Sequence, residues 1–293
     1  MPSRFSLPWN LWKSEGRVLN PLNLDGTTER PMGTTLLHAS AGLRCHLGFY
    51  RAGSAQPMHS HPTPTVSLLL SGSVHEVVSR SEVSAGISSI SIKPPGIRHR
   101  DVYGRNGAVI LSVAIDDPDH WAAALPPPEW TWRPLTGRDY GEVLASLTAP
   151  DRLRDATFEL LALGGRVPRR KGIPPRWLRV VEEQLREDPD RSLSAVAAEA
   201  GVHPVHLARA FRLWYGITPS AFRLVQRTSS AIGAALWGGK AASTVAHDVG
   251  FADQSHMARS IRSATGYSLS ELRRLALQSL GPPAPASRCA GRA

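Results

Sequence analysis

The sequence has few cysteines and no long apolar run. Only Cys45 and Cys289 occur among its 293 residues, and they lie far apart, so neither a disulfide framework nor a structural zinc site is indicated. No stretch approaches the roughly 18 consecutive apolar residues of a membrane span, and residues 1–16 lack the apolar core and cleavage site of a signal peptide. We therefore expect a cytoplasmic protein with no membrane partner.

Acidic residues are scarce relative to basic ones. The chain has 24 Asp and Glu against 34 Lys and Arg, which gives a formal net charge of +10. This excess favours a polyanionic partner, although a merely basic soluble protein would have the same composition. A hydrophobic content of 42% with 20% charged residues is ordinary for a globular protein, and the length suffices for two domains.

The N-terminal half carries a β pattern. Residues 1–30 read as an irregular arm, and residues 31–116 contain short apolar or alternating runs separated by Gly and Pro. Such runs predict a small antiparallel barrel or sandwich. The predicted strands cover residues 66–70, 74–78, 87–92 and 109–113, with Gly72 closing a strand.

Helical patterns follow the β region. Residues 117–165 are predicted to form a helical connector with helices near 140–147 and 152–163. The second helix has one apolar face, which could pack on the barrel or pair two subunits as a dimerisation face; it consists of Leu153, Ala156, Thr157, Leu160 and Leu161. Beyond it we expect a basic linker at 166–173, a helical domain at 174–280 and a disordered tail at 281–293.

The C-terminal region contains an internal repeat. A shift of 50 positions aligns residues 205–223 with 255–273 at seven identities, and a shift of 49 aligns residues 194–197 with 243–246 and Gly201 with Gly250. The second copy therefore has one extra residue in its turn. Each copy reads as a short helix, a turn marked by glycine and a longer helix, which is the pattern of a helix-turn-helix unit.

The longer helices of the two copies present matching faces. An apolar stripe of each helix is predicted to face inward: Leu207, Ala210, Phe211 and Trp214, then Met257, Ser260, Ile261 and Ala264. The opposite faces carry two arginines each among small or short residues: Val205, Ala208, Arg209 and Arg212, then Ser255, Ala258, Arg259 and Arg262. Small residues let a helix enter the major groove, and an arginine fork matches the acceptors of guanine or binds phosphate. Duplication in the same register favours DNA recognition over a merely solvated face.

These residues resemble the AraC/XylS family of bacterial transcription regulators over residues 176–274. The resemblance rests on residues 194–201, 206–211 and 216–220 of the first copy and on residues 245–246, 249–251, 254–256 and 265–268 of the second. It implies two helix-turn-helix units joined by a linking helix, with recognition helices in two successive major grooves. The sequence departs from the family pattern at Ile261, Leu269 and Leu272, where an aromatic residue, a proline and a tyrosine are usual.

The resemblance also implies roles for individual residues. Carried over by position, the base-reading residues are Val205, His206, Ala208 and Arg209 in the first unit and Gln254, Ser255, His256 and Arg259 in the second. Arg212 and Arg262 suit phosphate contacts better. The implied partners are double-stranded promoter DNA, a small-molecule effector, RNA polymerase and a second copy in a homodimer, and activation is the family's commoner mode.

The first domain resembles the two motifs of the cupin family. Gly53 is followed after five residues by His59-Ser60-His61, and residues 94–99 end at His99. The resemblance implies a small β-barrel with a pocket, to which we assign His59, His61 and His99 as effector-binding residues. Three histidines could also hold a divalent metal, but the glutamate of the metal-binding pattern is replaced by Thr65 or Val66. We therefore predict no cofactor, with a metal at these histidines as the alternative.

Taken together, these patterns predict an α+β protein with an N-terminal cupin-like β-barrel followed by an all-α domain of two helix-turn-helix units. The predicted function is a sequence-specific DNA-binding transcription regulator, not an enzyme, that responds to an effector through its barrel. Two alternatives stay open: a cupin metalloenzyme, such as a dioxygenase or isomerase, with a DNA-binding appendage, and a regulator whose barrel binds a protein.

Overall fold

A computed structural model describes residues 32–40, 42–78, 81–87, 89–117, 131–134, 144, 147, 150–164 and 173–280. The predicted arm, most of the first connector helix, the linker up to residue 172 and the tail with Cys289 lie outside the described residues. Within them, an antiparallel sheet precedes a helical region. The predicted α+β class is confirmed.

The sheet contains eight strands in the part of the chain that the structure describes. Their bounds are β1 Met32–Ser40, β2 Leu43–Tyr50, β3 Ala55–His59, β4 Thr65–Val78, β5 Ser81–Gly86, β6 Ser89–Lys93, β7 His99–Ile115 and β8 Thr131–Pro134. They are antiparallel in the order β1-β2-β7-β4-β6-β8, with β3 paired to β7 and β5 paired to β4. The long strands β4 and β7 therefore hold the sheet together, since each pairs with three others.

Strand β4 is longer than the sequence predicts. It includes both predicted runs, 66–70 and 74–78, and the prediction that Gly72 closes a strand is wrong. Gly72 has φ 84° and lies between two register shifts against β7, and a β-carbon there would collide with the Gly107 carbonyl. A bulge of this kind bends a strand without ending it. The sheet also extends past residue 116, because β8 pairs with β6.

The two faces of the sheet differ in chemistry and in burial. On one face, apolar side chains lie in register across four strands, for example Leu47, Leu111, Leu68 and Ile90. On the other face, the next row along the same strands is His46, Ser112, Ser67 and Ser91. The polar atoms that are buried on this second face, as at Ser67 and Ser91, need hydrogen-bond partners.

Eight helices are described in full or nearly so. Their bounds are α1 Leu153–Gly164, α2 Arg176–Glu187, α3 Leu193–Glu199, α4 Pro204–Tyr215, α5 Pro219–Trp237, α6 Ala242–Asp248, α7 Gln254–Thr265 and α8 Leu269–Leu280. The bounds of α6 are those of α3 shifted by 49, and the bounds of α7 are those of α4 shifted by 50. The repeat and its one extra turn residue are thus present in the structure, and α5 is the linking helix.

Helix α1 packs within the chain. All five residues of its predicted apolar face are buried, and four of them, Leu153, Ala156, Leu160 and Leu161, belong to the apolar cluster of the sheet. Of the two uses that the sequence left open for this face, packing on the sheet is the one observed.

The two helix-turn-helix units have different cores. In the first unit, Leu178, Val196, Leu207 and Phe211 belong to an apolar cluster of their own. In the second unit the apolar cluster is continuous with that of the sheet, because α5 lies against β4 and β7, and α8 lies against β1. The predicted linker therefore separates the two domains in sequence, but the second unit packs on the sheet.

The departures from the family pattern are accommodated in the second unit. Ile261 and Leu272 are fully buried, and Leu269 is 9% exposed. The proline that is usual at position 269 would begin a helix; instead Ser268 and Glu271 cap α8 reciprocally, each accepting the other's backbone N–H at 3.3 and 2.7 Å. Among the described helices, none is both long and apolar enough to cross a bilayer.

Candidate DNA-binding surface and ligand site

The longer helix of each unit begins at a side chain that caps the backbone and ends at a glycine. The His203 ring accepts the Val205 N–H at the start of α4, at 3.2 Å, and the Asp253 carboxylate accepts the His256 N–H at the start of α7, at 2.7 Å. Both helices end at a left-handed glycine with φ 76°, Gly216 and Gly266. The repeated sequence thus produces two helices of equal length.

The predicted DNA-reading face of α4 is exposed. Val205, His206, Arg209 and Arg212 are accessible, and Ala208 is half-buried. The His206 ring lies 5.6 Å from that of Trp177, between centroids. Helix α4 contains two arginines and no acidic residue, so its outer face is positively charged.

Helix α7 repeats this surface. Gln254, Ser255, Arg259 and Arg262 are exposed, as is Ala258. The Arg262 guanidinium lies 3.7 Å from the Glu271 carboxylate. His256 is half-buried with its ring edge-on to Phe251, at 5.2 Å between centroids. In each unit, therefore, the arginines extend outward while the histidine packs on an aromatic ring.

The sequence of this region matches a known family. Residues 196–275 match the family model described as a helix-turn-helix domain. They form an AraC-type DNA-binding domain. The chain is accordingly a DNA-binding transcription regulator. A comparison with curated protein sequences gave no match.

Several solved structures are similar to parts of the chain. Fatty-acid-bound ToxT from Vibrio cholerae is 11% identical, covering 81% of this chain and 97% of its own, with a TM-score of 0.36. The C-terminal domain of AraT from Geobacillus stearothermophilus is 23% identical, covering 35% and 88%, with a TM-score of 0.33. A cupin superfamily protein from Desulfitobacterium hafniense is 14% identical, covering 31% and 83%, with a TM-score of 0.28. Because these scores are low, the assignment of the AraC-type domain rests on the sequence match.

The sheet that precedes the AraC-type domain brings three histidines together. His59 ends β3 and is paired with His99 at the start of β7, and His61 follows in the next turn. Their ring centroids are 4.1 Å apart for His59 and His99, and those of His61 are 5.2 and 5.1 Å away. One ring nitrogen from each lies within 4.8 Å of the others.

Backbone carbonyls set the tautomer of two of these rings. Nδ1 of His59 lies 2.9 Å from the Pro57 oxygen, and Nδ1 of His99 lies 3.0 Å from the Ile97 oxygen. A carbonyl oxygen can only accept, so in each neutral ring the proton is on Nδ1. Nε2 of both rings is therefore an acceptor.

A buried ion pair lies beside the histidines. Lys93 donates to Oε1 of Glu76, and its Nζ lies 3.4 Å from Nε2 of His99. The Trp132 indole donates to the other Glu76 oxygen. Asp101 is also buried; one of its oxygens accepts from the Tyr103 hydroxyl at 3.4 Å, and Oδ1 has no hydrogen-bond partner among the described residues.

Burial controls protonation at this cluster. Burial and the positive charge of Lys93 lower the pKa of His61 and of His99 to about 4. Burial also lowers the pKa of His59 and raises that of Glu76, an effect on Glu76 that Lys93 opposes. The three imidazoles are consequently neutral near pH 7.

The donor set does not fit a resident divalent metal ion. The three neutral imidazoles are suitable ligands, but the Lys93 ammonium lies beside the His99 nitrogen that would have to coordinate, and it already matches the charge of Glu76. The ammonium therefore occupies the position at Nε2 of His99 that a divalent ion would need, and its charge repels a second cation there.

The polar face of the sheet continues from this cluster. Ser91 lies two residues before Lys93 on β6, in register with Ser67, whose hydroxyl is 3.0 Å from that of Ser112. The Ser91 hydroxyl is buried and, within the described residues, has no partner. Buried polar atoms without partners are uncommon and mark places where a water molecule or a ligand binds. This face, with the histidine cluster, is the candidate ligand site.

Sequence reasoning missed Glu76, Lys93, Asp101 and Trp132 as members of the site. Charged residues in and next to strands are ordinarily solvated, and the register shifts in β4 decide which way Glu76 faces. A usable signal was present at Lys93, which continues the alternation of Ser89 and Ser91 in β6. His46 belongs to the polar face and Cys45 to the apolar core.

Proposed function

We propose that this regulator reads promoter DNA with the exposed faces of α4 and α7, and that a small molecule on the polar face of its sheet controls the binding. The observation that carries the proposal is the direct packing of the linking helix α5 on strands β4 and β7. These same strands carry Glu76, His99 and Asp101 of the candidate ligand site. A ligand there is therefore in contact with the elements that hold the DNA-binding domain.

The proposed roles at DNA follow from exposure and chemistry. Arg209 and Arg259 extend from the two reading faces and are assigned to base edges, where a bidentate contact with guanine gives specificity. Arg212 and Arg262 lie one turn further along their helices and are assigned to phosphates. The remaining base-reading residues are assigned by position as Val205, His206, Ala208, Gln254, Ser255 and His256. Contact of the regulator with RNA polymerase and assembly into a homodimer remain predictions from the resemblance.

The proposed coupling route consists of buried and partly buried hydrogen bonds between the sheet and α5. The Gly72 N–H of β4 donates to the Ser229 hydroxyl of α5 at 2.8 Å. The Asn106 amide of β7 donates to the Ser230 hydroxyl, and the Trp237 indole donates to the Asn106 carbonyl, each at 3.2 Å. Since Gly72 is four residues from Glu76 on one strand, a ligand that moves Glu76 also biases the position of α5. Such control requires that the ligand favour one arrangement energetically.

A metalloenzyme with a DNA-binding appendage is the less supported reading. That reading needs a metal ion with an open coordination position and a catalytic acid or base. The ammonium of Lys93 beside His99 opposes a divalent ion at the histidines. A domain that binds a protein instead of a small molecule would not be stabilised by metabolites.

DNA binding tests the reading faces. The full chain is titrated onto its own upstream region and onto a scrambled duplex at about 150 mM salt, where non-specific attraction is weak. We expect Arg209→Ala and Arg259→Ala each to cost about 1–3 kcal/mol at the specific site and little on the scrambled duplex. Arg154→Ala, which removes an exposed arginine from α1, is the matched control.

The two outcomes are distinct. Protection of one site covering two adjacent major grooves, lost in both variants and kept in the control, supports the assignment. Unchanged binding of the specific site by both variants would refute the assigned faces.

Thermal stability in the presence of a library of small polar metabolites tests the sensing role. We expect one class of compound to raise the unfolding temperature of the full chain and to change its DNA affinity. Ser67→Leu, which fills the polar face, should abolish both effects while leaving DNA binding without the compound intact. A compound that stabilises the variant as well as the wild type would place binding elsewhere.

A further inference from the structure

The position of Lys93 bears on which class of ligand the sheet accepts, an inference that rests on the proposed function of this face as a ligand site. Its ammonium contacts the Glu76 carboxylate, lies 3.4 Å from Nε2 of His99, and lies 5.8 Å from the centre of the Trp132 ring. A carboxylate, an imidazole lone pair and an aromatic ring each stabilise a cation. The side chain is 8% exposed, so these groups replace its hydration.

Two of the histidine rings present an unprotonated nitrogen that can bind a cation. The carbonyls of Pro57 and Ile97 hold the proton of His59 and His99 on Nδ1, which leaves Nε2 of each ring as an acceptor. In a metal site the same arrangement would direct two nitrogens at the ion. Here the Nε2 atom of His99 already has an ammonium within hydrogen-bond distance.

We propose that the Lys93 ammonium takes the cation position of the three-histidine cluster, so that the sheet rejects divalent metal ions and accepts an organic molecule through hydrogen bonds. Lys93 and Glu76 cancel each other's charge, and a second cation would be left with Asp101 as its counter-charge. The Ser91 hydroxyl and Asp101 Oδ1, which have no hydrogen-bond partner among the described residues, supply one group that donates or accepts and one that accepts. This points to an uncharged ligand with hydroxyl or amide groups.

The proposal implies a latent metal site. Replacing Lys93 with an uncharged side chain of similar shape frees Nε2 of His99 and leaves the Glu76 and Asp101 carboxylates beside it without a cationic side chain. Glu76, His99 and Asp101 already place one potential ligand atom each within 4.8 Å of one another. Removal of a single positive charge should therefore convert a site that rejects metal into one that binds it.

Cobalt titration of the full chain tests this. Wild type, Lys93→Met and the double variant Lys93→Met with His99→Ala are titrated with Co²⁺ near neutral pH, following heat and the visible absorption of coordinated cobalt. We expect no saturable uptake by the wild type, and one equivalent bound by Lys93→Met with affinity higher by about 100-fold or more. The double variant should lose this binding. Lys240→Met, which removes an exposed lysine, should behave as the wild type.

Saturable binding of one equivalent by the wild type, lost on His99→Ala, would overturn the proposal. Lys93→Met leaves Glu76 buried without its partner, so a charge-neutral variant, Lys93→Met with Glu76→Gln, is made in parallel. If both variants fold cooperatively and neither binds cobalt more tightly than the wild type, the proposal is wrong. If neither folds, the wild-type titration decides. DNA affinity measured on the same preparations keeps a failure of this proposal separate from a failure of the proposed function.

Discussion

The arginines of α4 and α7 and the three histidines of the sheet differ in how well the sequence predicts their position. Arg209 and Arg259 are exposed at corresponding positions, so a pattern of 3.6-residue periodicity is enough to find them. The histidines come together because β3 pairs with β7; no periodicity specifies this pairing, and only the resemblance to the cupin motifs groups them in the sequence. The sequence therefore predicts the site residues on an exposed helix better than those whose neighbours depend on the pairing of distant strands.

The histidine cluster gives a pH dependence with a definite sign. His61 and His99 have a pKa of about 4 in the folded chain, below the ordinary value near 6.5, so protonation favours the unfolded state. Their stabilising contribution is present above pH 6.5 and is lost as the pH falls towards 4. We expect the unfolding temperature to fall over this interval, and to fall less steeply in the double variant His61→Asn with His99→Asn.

Carboxylates also titrate in that interval, so the comparison must be between variants. His247→Asn removes an imidazole whose side chain is 93% exposed and should reproduce the wild-type slope. Equal slopes in the double variant and the wild type would contradict the assignment of the shifts to this cluster.

At the scale of elements, α5 is shaped by what it packs against. Gly233 lies in the middle of this helix, and a β-carbon there would come within 2.8 Å of the Asn106 carbonyl oxygen. Glycine to alanine in a helix ordinarily gains about 1 kcal/mol. We expect Gly233→Ala instead to lower the free energy of unfolding by about 1–3 kcal/mol, because the sheet and the helix must separate to admit the methyl group.

Chemical denaturation of the full chain measures this change. Ser220→Ala, at an exposed position of the same helix, serves as the control for helix propensity and should be neutral or slightly stabilising. A gain in stability for Gly233→Ala would mean that α5 is not held against β7 in solution.

Elements differ in how well the sequence specifies them. The repeat, both recognition helices and the apolar face of α1 could be predicted, because helical periodicity is local and the second copy checks the first. The sheet is harder to predict: the sequence predicts two strands where β4 is one, since glycine commonly ends a strand, whereas Gly72 here permits a close approach to Gly107. Strand β8 was missed because it is short and lies far along the chain from its partner β6. The facing of Glu76 depends on the register shifts between β4 and β7, which no local pattern specifies, whereas the alternation of Ser89, Ser91 and Lys93 along β6 does carry a signal.

At the scale of the whole molecule, the sequence predicts one helical domain over residues 174–280. The packing instead divides the chain between the first helix-turn-helix unit and the second, which shares its core with the sheet. The first unit has its own core, whereas Leu275, Ala276 and Leu280 of α8 are buried in a cluster shared with the sheet. In a fragment of residues 173–280 we expect amide hydrogens of α2 and α4 to stay protected from exchange and those of α8 to exchange much faster than in the full chain. Equal protection of α8 in both would show that the second unit does not depend on the sheet.

The way α5 is held has a mechanical consequence. Its 19 residues span about 28 Å; the half that contains Ser229 and Trp237 is fastened to the sheet, and the other half supports the first recognition unit. That unit touches the sheet through Arg105, an exposed side chain that donates to the carbonyls of Arg186 and Glu187. The helix is thus a lever arm: a tilt of about 10° where it leaves the sheet would move the end of its free half, about 14 Å away, by about 2.5 Å, and helix α4 would move with it.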